Sequence, residues 1–197
     1  MTVLALHGFT QRGTMWAEVT AAAGGEWTTP DLPGHGAEPA CDWDEAVAAI
    51  GAALAGRAAP RCLVGYSMGG RLALAATLAH PGLVERLVLV SAGPGLPTAK
   101  DRRRRRREDD RLAAHIEEVG MAAFAREWLA RPMFAGLQVR SPEWRAADLA
   151  ARAGNRAAGV AEALRRLGPG AQPYLGDRLG ELPMPVLVVA GEGDGKY

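Results

Sequence analysis

Apolar runs of strand length punctuate the chain at Val3-Leu4-Ala5-Leu6, at Arg61-Cys62-Leu63-Val64, at Leu87-Val88-Leu89-Val90 and across residues 184–190. Each is continuous rather than alternating, the pattern of strands buried on both faces, as parallel strands are. Between them the polarity shifts to a helical period. Thr14-Met15-Trp16 begins a short helix. Residues 42–57 place Val47, Ile50 and Leu54 on one stripe, with Asp42 or Asp44 as N-cap. Residues 70–80 form the next helix, which His80-Pro81-Gly82 ends. From Leu96 to about Gly170 the strand signal disappears and only helical stretches rich in Ala and Arg remain.

The join between the second apolar run and its helix carries the chemistry. Gly65-Tyr66-Ser67-Met68-Gly69-Gly70-Arg71 sets a serine between small residues at a strand-to-helix turn. Gly-x-Ser-x-Gly in that context is a nucleophile elbow, which implies an α/β-hydrolase fold: a mostly parallel sheet flanked by helices. The turn lifts Ser67 above the sheet edge and aims the helix N-terminus at the reacting atom. The early His7-Gly8-Phe9-Thr10 turn fits the second arm of an oxyanion hole, with the backbone N–H groups of Phe9 and Met68 as donors. His7 reads as a loop-shaping residue. So does His35 in the loop Asp31-Leu32-Pro33-Gly34-His35-Gly36, where glycines and prolines force a tight path. Asp194, in Gly191-Glu192-Gly193-Asp194 after the last strand, is the candidate triad acid, and a helix-capping aspartate is its alternative.

In this fold the triad order is Ser, Asp, His. His7, His35, His80 and His115 all precede Asp194. The expectation is therefore a C-terminally truncated version of a longer protein, lacking a last strand and helix; a hydrolase-like pseudoenzyme is the alternative. Without the histidine, Ser67 has no base and the chain should be nearly inactive. The expected division is a first part of the core over residues 1–95, a helical cap over 96–170 and a second part of the core over 171–197.

Charge changes the picture only locally. The net charge is +1, but residues 1–95 carry −3 and residues 96–182 carry +5. A basic segment beside a site favours an anionic substrate; a solvated helix surface is the alternative. Asp101, the run from Arg102 to Arg107 and Glu108-Asp109-Asp110 suit Arg–acid pairs at helical spacing. Without aromatic interleaving this run does not predict a nucleic-acid partner. Cys41 and Cys62 suggest no disulfide framework and no metal site. No apolar run is long enough to span a membrane, and the N-terminus lacks signal-peptide character, so a cytoplasmic location is expected. Oligomeric state is not legible.

Beyond the elbow, the chain resembles the 2-succinyl-6-hydroxy-2,4-cyclohexadiene-1-carboxylate synthase family of menaquinone biosynthesis along nearly its whole length. The resemblance rests on Leu6-His7-Gly8-Phe9 with Trp16, the 31–36 loop and the elbow with Arg71. It continues in Arg105-x-x-x-Asp109-x-x-Leu112-Ala113, Trp128-x-x-x-Pro132-x-Phe134, Arg152-x-x-Asn155 and the final Gly191-Glu192-Gly193-Asp194-x-Lys196-Tyr197. It implies a lyase that abstracts a proton and eliminates pyruvate from a small polycarboxylate substrate, with no cofactor. It also implies Ser67 and Asp194 as catalytic residues, Arg71, Arg105 and Arg152 as carboxylate ligands, and Tyr66 and Trp128 as pocket walls. Arg71 lies one helical turn after Ser67, and a guanidinium there suits a carboxylate better than an ester. A carboxylesterase and a non-catalytic binding protein on the same fold remain the competing readings.

Overall fold

A computed structural model of the 197-residue chain describes residues 1–192. Among the described residues five strands form one parallel sheet: β1 (Thr2–Leu6), β2 (Glu26–Thr28), β3 (Arg61–Tyr66), β4 (Arg86–Val90) and β5 (Val186–Val189). Their order is β2-β1-β3-β4-β5. β1 and β3 pair in register from Thr2↔Arg61 to Leu6↔Gly65. That register brings the end of β1, and the His7-Gly8 turn behind it, level with the elbow at the end of β3.

Alternate residues of the central strands feed two cores. Leu4, Leu6, Leu63, Leu87 and Leu89 pack against α2 (Trp43–Ala55) and α3 (Met68–Ala79). Val3, Ala5, Cys62 and Val64 pack with Trp16 on the opposite face, beside the short α1 (Ala17–Ala23). Asp42 is the N-cap of α2: its carboxylate accepts from Glu45 N–H while Glu45 accepts from Asp42 N–H, both at 2.9 Å.

β5 departs from expectation. Its apolar run predicts a strand buried on both faces, yet all four residues are exposed, Leu187 at 58% and Val188 at 64%. Among the described residues only β4 pairs with it and no element covers its faces. β2 is an unanticipated edge strand.

Between β4 and β5 the chain is helical. α4 (Ala99–Leu129) is broken at Gly120, whose φ of 75° and ψ of 164° lie far outside helical values. α5 (Pro142–Ala153) and α6 (Ala157–Leu167) follow. α6 packs Val160, Ala161 and Leu164 against Ala113, Ile116 and Phe124 of α4, a small core of its own. The arginine run is largely solvent-facing, with Arg104 between Asp101 (3.0 Å) and Glu108 (3.8 Å). Among the described residues no helix is long and apolar enough to cross a membrane.

Candidate active site

Ser67 sits at φ 51°, ψ −107°, a strained backbone for a residue with a side chain. The small neighbours permit it. A Cβ on Gly65 would lie 2.5 Å from the Gly69 carbonyl oxygen, and one on Gly69 would lie 2.6 Å from the His7 carbonyl oxygen and closer to that of Leu6. The elbow is anchored on both sides: Ser67 N–H donates to Val90 O (2.9 Å) and Gly69 N–H donates to His7 O (3.0 Å). The second bond ties the elbow to the His7-Gly8-Phe9 turn. Among the described residues the N–H groups of Phe9 and Met68 have no hydrogen-bond acceptor, which leaves them available to an oxyanion.

The turn is held by two buried histidines. Leu32 N–H donates to His7 Nε2 (2.8 Å), and His7 Nδ1–H donates to Gly8 O (2.8 Å). Thr10 N–H donates to His35 Nε2 (3.1 Å), and His35 Nδ1–H donates to Pro33 O (3.1 Å). Burial holds both rings neutral: His7 is lowered to about 3, with His35 adding to the effect, and His35 is lowered to about 4. Both nitrogens of each ring are committed. His80 follows the C-terminus of α3, and His115 meets Glu127 at 2.6 Å within α4. Among the described residues no histidine is placed to serve Ser67 as base. Asp194 lies outside the described residues.

Arg71 is buried, at 7% exposure. Its Nη1 donates to Gln172 Oε1 (3.4 Å), its guanidinium lies 5.8 Å from the Trp43 ring centre, and Gln172 is held in turn by Gly93 O (3.2 Å). Arg152, 2% exposed, donates to Thr10 Oγ1 (2.5 Å) and Asp148 (2.9 Å), beside Phe134 at 5.9 Å. Asn155 reinforces that junction, donating to Thr10 O (2.8 Å) and accepting from Gly36 N–H (2.7 Å). Tyr66, Phe134, Asp148 and Arg152 line one cleft of about 510 Å³. Trp128 meets the Phe9 ring edge-to-face at 5.4 Å and stacks on Phe124 at 5.7 Å.

Arg105 stands apart from this cleft. Its guanidinium pairs with Asp109 at 2.6 Å, and the other Asp109 oxygen accepts from Gly170 N–H at 2.9 Å. Burial raises the Asp109 carboxyl above its ordinary range, with Arg105 and Arg71 opposing the rise. Asp109 is thus ion-paired with Arg105, while Arg71 acts on it only electrostatically. Within the run, Arg105 is the arginine directed inward; Arg106 reaches Gly170 O, and Arg102 turns back to Leu96 O. Thr10, Gln172, Trp43 and Arg131 carry no sequence signal that marks them as site residues.

The sheet order and a strained serine beside two available N–H donors define a site of the α/β-hydrolase class. A family model described as "Alpha/beta hydrolase family" matches residues 3–196, and the chain belongs to that family. Within it the chain groups with the 2-succinyl-6-hydroxy-2,4-cyclohexadiene-1-carboxylate synthases. That of Serratia proteamaculans is 34% identical over 199 residues, covering 98% of this chain and 76% of the relative. A Bacillus subtilis protein provisionally given the same name is 40% identical over 135 residues, covering 68% of this chain and 49% of its own length. The match therefore spans about half of the second relative and about three quarters of the first. A solved structure described as "Structure of MenH from S. aureus" superposes with a TM-score of 0.90 at 28% identity, covering 98% of this chain and 75% of the other.

Proposed function

We propose that the chain carries the serine and the carboxylate-binding groups of a 2-succinyl-6-hydroxy-2,4-cyclohexadiene-1-carboxylate synthase. The reaction removes a proton from 2-succinyl-5-enolpyruvyl-6-hydroxy-3-cyclohexene-1-carboxylate and releases pyruvate. The observation that carries this reading is a pair of buried guanidiniums around the elbow. Arg71 follows Ser67 by one helical turn, and Arg152 is bonded to Thr10 beside Phe9. An ester pocket has no use for two desolvated cations, whereas a polycarboxylate substrate does.

In this reading Ser67 Oγ abstracts the substrate proton after giving up its own. The N–H groups of Phe9 and Met68 hold the oxyanion as charge develops. Arg71 and Arg152 bind substrate carboxylates, with Arg105 as a third ligand reached from its Asp109 pair. Tyr66 and Trp128 wall the pocket. Asp194, outside the described residues, is assigned to orient the base that accepts the Ser67 proton, and the described residues supply no such base. Residues 96–170 are assigned as a cap over a core formed by 1–95 and 171–197.

A lactate-dehydrogenase-coupled assay, run with added imidazole as proton acceptor, tests the reading. Pyruvate release should be lost in Ser67→Ala. It should show a KM raised about tenfold or more in Arg71→Met, the worth of a charge-assisted hydrogen bond. Cleavage of p-nitrophenyl acetate with no release of pyruvate would overturn it.

A further inference from the structure

A second cleft, of about 410 Å³, opens on the cap and is lined by Arg105, Glu108, Asp109, Arg111, His115 and Arg131. Arg105 is paired with Asp109, Glu108 with Arg104, and His115 meets Glu127. Arg111 and Arg131 have no ion pair among the described residues, and of the two only Arg131 is seated on an aromatic ring. Among the described residues no carboxylate comes within 4.0 Å of Arg131, although Glu127 acts on it at longer range. Its guanidinium sits over the Trp128 ring at 4.2 Å. Arg131 is exposed overall; partial desolvation and then the like charge of Arg105 disfavour its charged form. Three guanidiniums line one cleft and only that of Arg105 is paired, which makes a place where an anion relieves repulsion. The cleft is also coupled to the elbow. Trp128 lies between Arg131 and Phe124, and its edge meets Phe9, whose N–H is an oxyanion donor in the reading above.

We propose that Arg131, seated on Trp128 and facing Arg105, completes a second carboxylate subsite, which takes one carboxylate of the substrate while Arg71 takes another. This rests on the lyase reading. A planar, bidentate donor fixed on an aromatic face is pre-organised for a carboxylate. A carboxylate bound there would place the substrate along the Trp128 wall toward Ser67.

Calorimetric titration of the 197-residue chain with succinate, and separately with inorganic phosphate, tests the subsite. Arg131→Met keeps an apolar stem on Trp128 and removes the charge, while Arg131→Lys keeps the charge. The expected result is saturable succinate binding that weakens about tenfold in Arg131→Met and stays within about threefold in Arg131→Lys, at unchanged melting temperature. Wild-type affinity in Arg131→Met, or no saturable succinate binding by the wild type, overturns the subsite. So does Arg131-dependent binding of phosphate without binding of succinate. Arg71→Met separates the two claims. If it weakens succinate binding and Arg131→Met does not, the subsite fails and the lyase reading stands. If only Arg131 matters, the subsite stands and the lyase reading loses its carboxylate argument.

Discussion

Acid should destabilise this protein well before its carboxylates titrate, because His7 and His35 are both fully buried and neutral. An unfolded histidine titrates near 6.5, whereas these are lowered to about 3 and about 4, chiefly by burial. The folded pKa lies below the unfolded one. Below about pH 6.5 the unfolded chain therefore binds protons that the folded chain refuses, and stability falls as pH drops. The full contribution is present above about pH 6.5 and is lost progressively down to the folded pKa values. Near pH 5 each ring forfeits about 2 kcal/mol, so the pair forfeits roughly 4 kcal/mol, a large share of a typical domain's stability. Protonation would also break structure, since Nε2 of each ring accepts a backbone N–H and cannot do so once it carries a proton. Asp109, raised by burial, acts in the opposite sense. Variants therefore have to isolate the histidines. Urea unfolding followed by circular dichroism near pH 7.5 and pH 5 supplies the difference for wild type, His7→Gln and His35→Gln. Each variant should be less stable at the higher pH but lose about 2 kcal/mol less on acidification. Equal wild-type stability at both values, or unchanged slopes in the variants, would refute the reasoning.

Three other perturbations follow from the packing. Asn155→Ala strands Thr10 O and Gly36 N–H in a buried junction and should destabilise by on the order of 3 kcal/mol, read by urea unfolding. Gly69→Ala drives a Cβ against the Leu6 and His7 carbonyls; a loss of about 2 kcal/mol is expected, together with loss of Ser67 labelling by a fluorophosphonate probe run with imidazole. Phe124→Ala empties the small core between α4 and α6 and should cost about 4 kcal/mol or unfold that segment first, seen as early hydrogen exchange in α4 and α6.

How much of this was legible in the sequence depended on how narrowly each feature constrains residue type. The elbow was legible because a serine at positive φ admits only small residues at Gly65 and Gly69, and the sequence has them. Residue type alone does not choose between Asp42 and Asp44 as the α2 cap; only Asp42 has Glu45 three residues on to reciprocate. β2 escaped because Glu26-Trp27-Thr28 is too short and too polar to register as a period. The exposure of β5 escaped for the reverse reason: an apolar run reports a preference for cover, and cover is a property of neighbouring elements. The break at Gly120 leaves no mark beyond a single glycine in a helical pattern. Among the arginines, composition could not separate Arg105 from its neighbours. Its inward direction follows from Asp109 one turn on, which Gly170 N–H draws into the interior. Arg131 had no periodic signal at all. Its place comes from the turn after α4, which folds its guanidinium back over Trp128.

Binding of 2-succinyl-6-hydroxy-2,4-cyclohexadiene-1-carboxylate itself, measured by calorimetry, tests the central claim most directly, because binding needs no proton acceptor. Saturable binding by the wild-type chain is expected. It should weaken about tenfold or more in Arg71→Met and in Arg152→Met, and be unaffected by Ser67→Ala. Absence of saturable binding, or binding that neither arginine influences, would contradict it.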